Sequence, residues 1–424
     1  MVRAGDTALR EDVPCPFCGL ACDDLEIEVG ADGLAVRRGG CPISRAAFER
    51  ALPADSRARL AGEPCARKAA IERAAQILGA SRLPLFGGLA ADVAGIRGAL
   101  ALADRVGGVV DHGGSAGLFA DLTALRDIGM ITTTFSEVRN RCDLLLIVGP
   151  DPLPLMPRLF ERCLPAGPTL FAADGIERRL VRLGPDAAAA PAPSPVQRCS
   201  AIPCGADELL PKLAALRATL KGRAPPGATD PALTELAGAL RTARYPVIAW
   251  AAGMLPPPEA DLIGLCLAEL VRDLNRAGRA ACLPLGGGAN VAGAHQACLW
   301  QTGQPLRTSF GAGAPRHDPH LFAARRLIEH GEADAVVWTA ALDGGPLPPL
   351  SPDLPLILLA PPGTERSPEP AVFLPVGRPG IESDGQIFRG DRVVALPLAA
   401  LRPSDLPSVA ATLAEIAEAL EGSA

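Results

Sequence analysis

Four cysteines, Cys15, Cys18, Cys22 and Cys41, lie within VPCPFCGLACDDLEIEVGADGLAVRRGGCP, which runs from Val13 to Pro42. The first three follow a C-x2-C-x3-C rhythm, and the fourth returns after a short insert with hairpin patterning. Four thiolates gathered from a tight turn and a returning strand suit a [4Fe–4S] cluster or a tetrahedral zinc. A zinc site more often shows two C-x2-C pairs, and Cys41 has no such companion, so the spacing favours iron–sulfur. A third reading treats the thiols as small buried hydrophobes. Three of them inside eight residues, flanked by Pro14, Pro16 and Gly19, would make that a coincidence.

Other reactive residue types form weaker patterns. Gly107 to Phe119, GGVVDHGGSAGLF, is a strand end followed by a glycine-rich loop, where ligands of parallel sheets commonly sit. His112 has no partner at metal-ligand spacing. Gly286-Gly287-Gly288-Ala289-Asn290 is similar, and neither loop matches a P-loop or a G-x-G-x-x-G fingerprint. His317 and His320 flank Asp318 and Pro319; the proline breaks a shared helix face, so a polar loop is expected. No Ser–His–Asp or paired-carboxylate arrangement stands out.

The elements that must position these residues read as α/β. Leu25 to Val29, a turn at Ala31-Asp32-Gly33, and Leu34 to Arg37 form a hairpin, and Ile43 to Ala51 a helix leaving the cysteines. Residues 1–12 read as polar and frayed. Strands are expected at Leu83–Phe86, with Gly87-Gly88 as a turn, and at Gly108–Val110, Leu144–Val148, Val247–Ala252, Ala281–Leu285, Ala335–Thr339, Leu354–Leu359 and Val372–Val376. Helices alternate with them at Lys68–Ala80, Val93–Val106, Leu122–Asp127, Asp207–Leu220, Asp230–Arg244, Glu259–Ala277, Leu321–His330 and Ser408–Leu420. This alternation implies βαβ units and parallel sheets. Pro185 to Pro195, PDAAAAPAPSP, reads as a linker and Gly288 to about Pro319 as irregular, while Ala335 to Thr339 repeats the apolar pattern of Leu144 to Val148, with Asp343-Gly344-Gly345 after it, which suggests a middle region inserted between two halves of one domain.

Bulk properties remove several functions. The chain has 424 residues, 48% of them hydrophobic, enough for two or three domains. A net charge of −6 with no basic block, and 4% aromatics, argue against nucleic acid as a partner. The residues before Cys15 lack an apolar signal region, and no apolar run reaches membrane-spanning length. Twelve cysteines in such a chain are expected to sit reduced in a cytoplasm.

CPFCGLACDD resembles the catalytic B subunit of formylmethanofuran dehydrogenase, a member of the molybdopterin oxidoreductase superfamily. GGVVDHGGSAG is similar to that family's segment carrying the tungsten or molybdenum ligand, and SEVRNRCDLLLIVGPDPLPLMPRL to the strand and loop that approach the pterin. ANVAGAHQACLWQTGQP and GRPGIESDGQIFRGD resemble its later signature segments. The resemblance implies domains I–III of the superfamily: a small N-terminal cysteine-rich β unit plus two doubly wound α/β domains, lacking the C-terminal pterin-binding barrel domain. The expected division is 1–60 for the four-cysteine domain, 61–169 with 320–424 for a split first α/β domain, and 170–319 for a second, inserted one.

The departures from the family pattern carry the functional expectation. Where the family places a metal-binding cysteine or selenocysteine, this chain has Ala116 or Gly117, neither of which can ligate. Where it has a W-G-x-N-P type turn, this chain has Val148-Gly149-Pro150-Asp151-Pro152 and Met156, and Pro42 replaces a more basic stretch. The combination resembles the B subunit of the formyltransferase/hydrolase complex of methylotrophic bacteria. That resemblance implies a non-catalytic structural role next to an amidohydrolase-like A subunit, a C subunit and a formyltransferase D subunit. The complex would convert formyl-tetrahydromethanopterin via formyl-methanofuran to formate. No functional molybdopterin or tungstopterin is expected, and Cys15, Cys18, Cys22 and Cys41 are either a live or a vestigial [4Fe–4S] site. Two alternatives stay open: a redox-active tungsten or molybdenum dehydrogenase subunit, and an iron–sulfur electron-transfer subunit.

Overall fold

Uninterrupted apolar runs such as Leu144–Val148 and Leu356–Ala360 are buried along their whole length, as strands of parallel sheets covered on both faces are. The computed structural model describes residues 7–422 except 32, 52, 54, 188–195, 197, 224–229, 257–258, 343–346 and 348. Asp32 of the expected turn, Asp343-Gly344-Gly345 and most of the expected linker lie outside the described residues. The chain is a mixed α/β protein of two compact units, one formed by Met1–Ser115 with Gly287–Ala424 and the other by Ala116–Gly286.

In the first unit, Pro84–Ala90 lies between Val109–Val110 and Ala335–Ala340, and Leu356–Ala360 and Val372–Pro375 extend the parallel sheet beyond the latter. The chain thus leaves Pro84–Ala90 to one side and later resumes on the other, which makes a switch point between Pro84–Ala90 and Ala335–Ala340. Short antiparallel strands flank both sides. Helices Arg67–Ala80, Val93–Arg105 and Val409–Glu421 pack together on this unit. Asp92 caps the second of them through the N–H groups of Ala94 and Gly95. A separate three-stranded antiparallel sheet, Ala8–Val13, Leu25–Gly30 and Gly33–Arg38, carries the cysteines.

The second unit has five parallel strands in the spatial order Arg198–Pro203, Arg179–Gly184, Leu144–Val148, Pro246–Trp250, Ala281–Pro284. Its core includes the fully buried Trp250, whose indole N–H donates to Asp121 at 2.8 Å.

Several expectations are corrected. Residues 8–13 are not frayed but form the first strand of the cysteine sheet. Gly87 and Gly88 are inside the strand Pro84–Ala90, where the register slips at Trp338/Ala340. Gly88 adopts φ +71 there, and a Cβ would meet the Thr339 carbonyl oxygen at 2.5 Å, so the glycine serves a bulge rather than a turn. The stretch after Gly288 contains a helix, Val291–Thr302. Finally, Leu144–Val148 pairs in the second unit's sheet, so residues 116–169 do not belong to the first α/β domain, and residues 287–319 do.

Candidate functional site

The three clustered cysteines sit in a turn closed by the Cys15 N–H donating to the Cys22 carbonyl at 2.7 Å. Ala21 takes φ +45 and donates its N–H to the Cys18 carbonyl, a geometry common in loops that aim several side chains inward. Cys15, Cys18 and Cys22 are buried and Cys41 is half-buried. Cys41 also starts the helix Pro42–Phe48: its Sγ accepts from the Ser44 N–H at 3.4 Å, while Ser44 Oγ accepts from the Cys41 N–H at 2.8 Å. Phe17 and Phe48 meet edge to face at 5.2 Å and pack the turn onto that helix.

Burial pushes the Cys15 thiol up, an N–H from Phe17 pulls it down, and charge on Cys18, Cys22 or Cys41 pushes it up again. The Cys15 sulfur therefore lies close enough to the other three to feel their charge. Among the described residues, no three His, Cys, Asp or Glu side chains are arranged to hold one metal ion. What fits a [4Fe–4S] cluster is the chemistry of the donor set: four thiols, with backbone N–H groups already directed at Cys15 and Cys41.

Three of the other singled-out segments converge near this turn. Gly390 donates its N–H to the Gly19 carbonyl at 2.7 Å. Gly287, at φ +88, lets these chains close: a Cβ there would lie 2.8 Å from Gly390 Cα and 3.4 Å from Gly19 Cα. Asn290, buried at φ 58, donates to the Ala91 carbonyl and accepts from the Phe388 N–H, each at 2.9 Å. His112 accepts from the Gly114 N–H at Nδ1 and faces the Ala289 carbonyl with Nε2, both at 2.9 Å. Burial lowers its pKa to about 4, so it is a neutral brace between two glycine-rich loops. Asp111 supports the same corner by accepting from Ala324 and His112, with Arg307 3.6 Å away.

His317 and His320 do not act together. His317 lies in a two-residue strand with Nδ1 3.0 Å from the Arg307 carbonyl, and His320 stays exposed in a turn capped by Asp318. His295, which lies in the signature-like segment ANVAGAHQACLWQTGQP but is not itself expected as a site residue, is buried on helix Val291–Thr302, with no partner for Nδ1 among the described residues. Its place in an irregular-looking stretch hid it.

Ala116 and Gly117 occupy the first turn of helix Ser115–Ile128. Ala116 is exposed. At Gly117 a Cβ would lie 2.7 Å from the Gly253 nitrogen and 2.9 Å from its Cα. Two backbones touch there, and no side chain of any kind fits without moving them. A thiolate-held tungsten or molybdenum does not fit this position.

A groove of about 1290 Å³ lies between the helix that follows Cys41 and the carboxyl ends of strands Ala335–Ala340 and Leu356–Ala360. Trp338 and Arg378 line it, and the Trp338 indole N–H is buried with no partner among the described residues.

No family model matches the chain. The B subunit of the formyltransferase/hydrolase complex Fhc of Methylorubrum extorquens is 34% identical over 351 residues, 82% of this chain and 92% of that protein. The chain belongs to that family of Fhc B subunits. A crystal structure of the M. extorquens complex FhcABCD with methylofuran contains a chain that superposes with a TM-score of 0.74 at 32% identity, covering 86% of this chain and 99% of that one. The B subunit of the tungsten-containing formylmethanofuran dehydrogenase 2 is 28% identical in Methanocaldococcus jannaschii and 26% in Methanococcus maripaludis, each over 90% of this chain. The Fhc B subunits are thus related to tungsten enzymes. In this member, the positions that resemble the metal-ligand segment are an exposed methyl and a backbone contact.

Proposed function

We propose that this chain is the B subunit of a formyltransferase/hydrolase complex and that it supports assembly without catalysing a step itself. Its partners would be an amidohydrolase-like A subunit, a C subunit and a formyltransferase D subunit, converting formyl-tetrahydromethanopterin via formyl-methanofuran to formate. The observation that carries the non-catalytic reading is the Gly117–Gly253 contact, which leaves no room for a metal-binding side chain at Gly117, while Ala116 beside it offers only an exposed methyl. The two parallel sheets, one in each unit, support the finer reading of molybdopterin-oxidoreductase domains. Among the described residues no helix is long and apolar enough to cross a membrane.

Purification of the intact complex from its host, with tungsten, molybdenum and pterin analysis, tests this reading. We expect three partner subunits and neither metal. A chain that comes out of its own host with no partner subunit attached would refute the scaffold role, and tungsten with viologen-linked activity would establish the dehydrogenase instead.

The cofactor reading is one [4Fe–4S] cluster on Cys15, Cys18, Cys22 and Cys41. When bound it supplies one-electron chemistry. The chain's own contribution is to bury three sulfurs and to direct N–H groups at Cys15 and Cys41. Anaerobic purification is expected to give a brown protein with iron and sulfide. Cys18→Ser should remove both while leaving partner recovery intact, whereas a wild-type chain without iron would mark the four cysteines as vestigial.

A further inference from the structure

The second unit carries an exposed apolar turn that the proposed function leaves unused. Thr169 and Ala172 pair back to back, with N–H···O distances of 2.9 and 3.4 Å, and lift Leu170 and Phe171 onto the tip. Leu170 is 82% exposed and Phe171 58%. The turn is pinned: Leu170 N–H donates to Asn140 Oδ1 at 3.1 Å, and Thr169 Oγ1 donates to the Asn140 carbonyl at 3.2 Å. The Arg141 guanidinium stacks on the Phe171 ring, 3.9 Å from its centroid. Two large apolar side chains are therefore presented to solvent in a fixed geometry, which reduces the entropy lost when a partner covers them.

Beside Phe171 a cavity of about 990 Å³ is lined by Arg141, Arg244 and Arg279. Its carboxylates are engaged: Glu137 with Arg141 at 2.6 Å, Glu177 with Arg198 at 2.9 Å, and Asp143 with the N–H groups of Arg244 and Tyr245 at 2.7 and 2.9 Å. Among the described residues, no carboxylate pairs with the side chain of Arg244 or Arg279. Arg279 also borders an adjoining cavity of about 470 Å³ that collects Lys221, Arg223, Arg241 and Arg276 around one acid, Asp273, which already holds Arg217 and Lys221. A chain of net charge −6 has concentrated cations here.

Position and composition select the occupant. Asp143, Tyr245 and Ala280 immediately precede strands Leu144–Val148, Pro246–Trp250 and Ala281–Pro284, so the face lies at the amino ends of the sheet. Small ligands of such sheets sit at the opposite, carboxyl ends. Arginine and aromatic anchors around an exposed apolar tip are the composition of a protein–protein contact.

We propose that the turn Thr169–Ala172 and the arginines beside it form a docking face for a partner subunit whose surface offers an apolar socket rimmed by carboxylates. The inference rests on the scaffold reading above.

The test is recovery of the other subunits with the full chain from co-expressing cells, for wild type, Leu170→Ser with Phe171→Ser, and Arg244→Glu with Arg279→Glu. Each double variant is expected to weaken assembly about tenfold or more, with unfolding temperature of the isolated chain unchanged. The wild-type association rate should fall with salt, and the charge-reversed variant should lose that dependence. If wild type and both variants recover partners equally, the docking face is wrong while the scaffold reading stands. If wild type recovers none, both fall. Polyphosphate binding that the Arg→Glu variant abolishes with assembly unaltered would reassign the cations to a free anion and overturn the proposal.

Discussion

Glu382→Gln is expected to lower the free energy of unfolding by about 3–5 kcal/mol, because it breaks a buried ion network rather than a surface pair. The Glu382 side chain is 0% exposed, Arg378 6% and Arg402 16%. The carboxylate accepts from the Arg378 backbone N–H at 2.9 Å, from its Nε at 3.0 Å and Nη2 at 2.6 Å, and from Arg402. Arg378 in turn donates to the Ala47 carbonyl at 2.8 Å, on the helix that Cys41 begins. An amide of the same size would leave two guanidinium groups without a counter-charge and loosen the hold on the cysteine segment. Chemical denaturation at pH 7 measures the loss, and a change below about 1 kcal/mol would place the network among ordinary surface pairs.

The same group gives a pH signature. Burial alone would raise the Glu382 pKa, but the hydrogen bond and charge of Arg378, together with Arg402, outweigh it and hold the pKa below the ordinary 4.5. The unfolded chain then takes the proton more readily. Its stabilisation is complete above pH 4.5 and is lost as pH falls through the lower folded value. His112 and His295 act earlier: burial lowers both from 6.5 to about 4, so protonation of the unfolded chain erodes stability as pH falls between those values. In Glu382→Gln the decline between pH 6.5 and 4 should persist while the carboxylate's own loss at lower pH disappears.

What the sequence could disclose followed from which signals are local. Leu144–Val148 is legible residue for residue, since an apolar run bounded by Asp143 and Gly149 has few other structures open to it. The same run says that a strand is buried on both faces but not in which sheet. That is why its likeness to Ala335–Ala340 misled: both are central parallel strands, one in each unit. Helix Val291–Thr302 escaped because Val291, Ala292, Gly293, Ala294, His295, Ala297 and Cys298 are all buried, which erases amphipathic periodicity, and because it starts from a left-handed Asn290 instead of a capping side chain. The cysteine rhythm exposed the candidate site at once. The segment GRPGIESDGQIFRGD stood out by resemblance, but the ion network of its Arg378 and Glu382 did not, because it also needs Ala47 and Arg402 from outside that segment.

Gly117→Cys is expected to destabilise the protein by about 1–3 kcal/mol, or more if the backbones cannot part, and to bring no tungsten or molybdenum with it. The obstacle is not the missing sulfur. Any Cβ at this position would stand 2.7 Å from the Gly253 nitrogen and 2.9 Å from its Cα, so the clash is with main chain and no rotamer relieves it. Gly253 is already the smallest residue, so trimming the partner is not available as compensation. Ala116→Cys offers the contrast: Ala116 is exposed in the same helical turn, and the added sulfur should shift stability by no more than about 0.5 kcal/mol. Expression of both variants in a tungsten-supplied host, followed by thermal unfolding and metal analysis, separates the two reasons for an absent ligand. If either cysteine captured tungsten, the old site would lack only its thiol and the scaffold reading would rest on a single reversible substitution. If Gly117→Cys is unstable and Ala116→Cys is stable but metal-free, the loss is built into the packing of helix Ser115–Ile128 against Gly253.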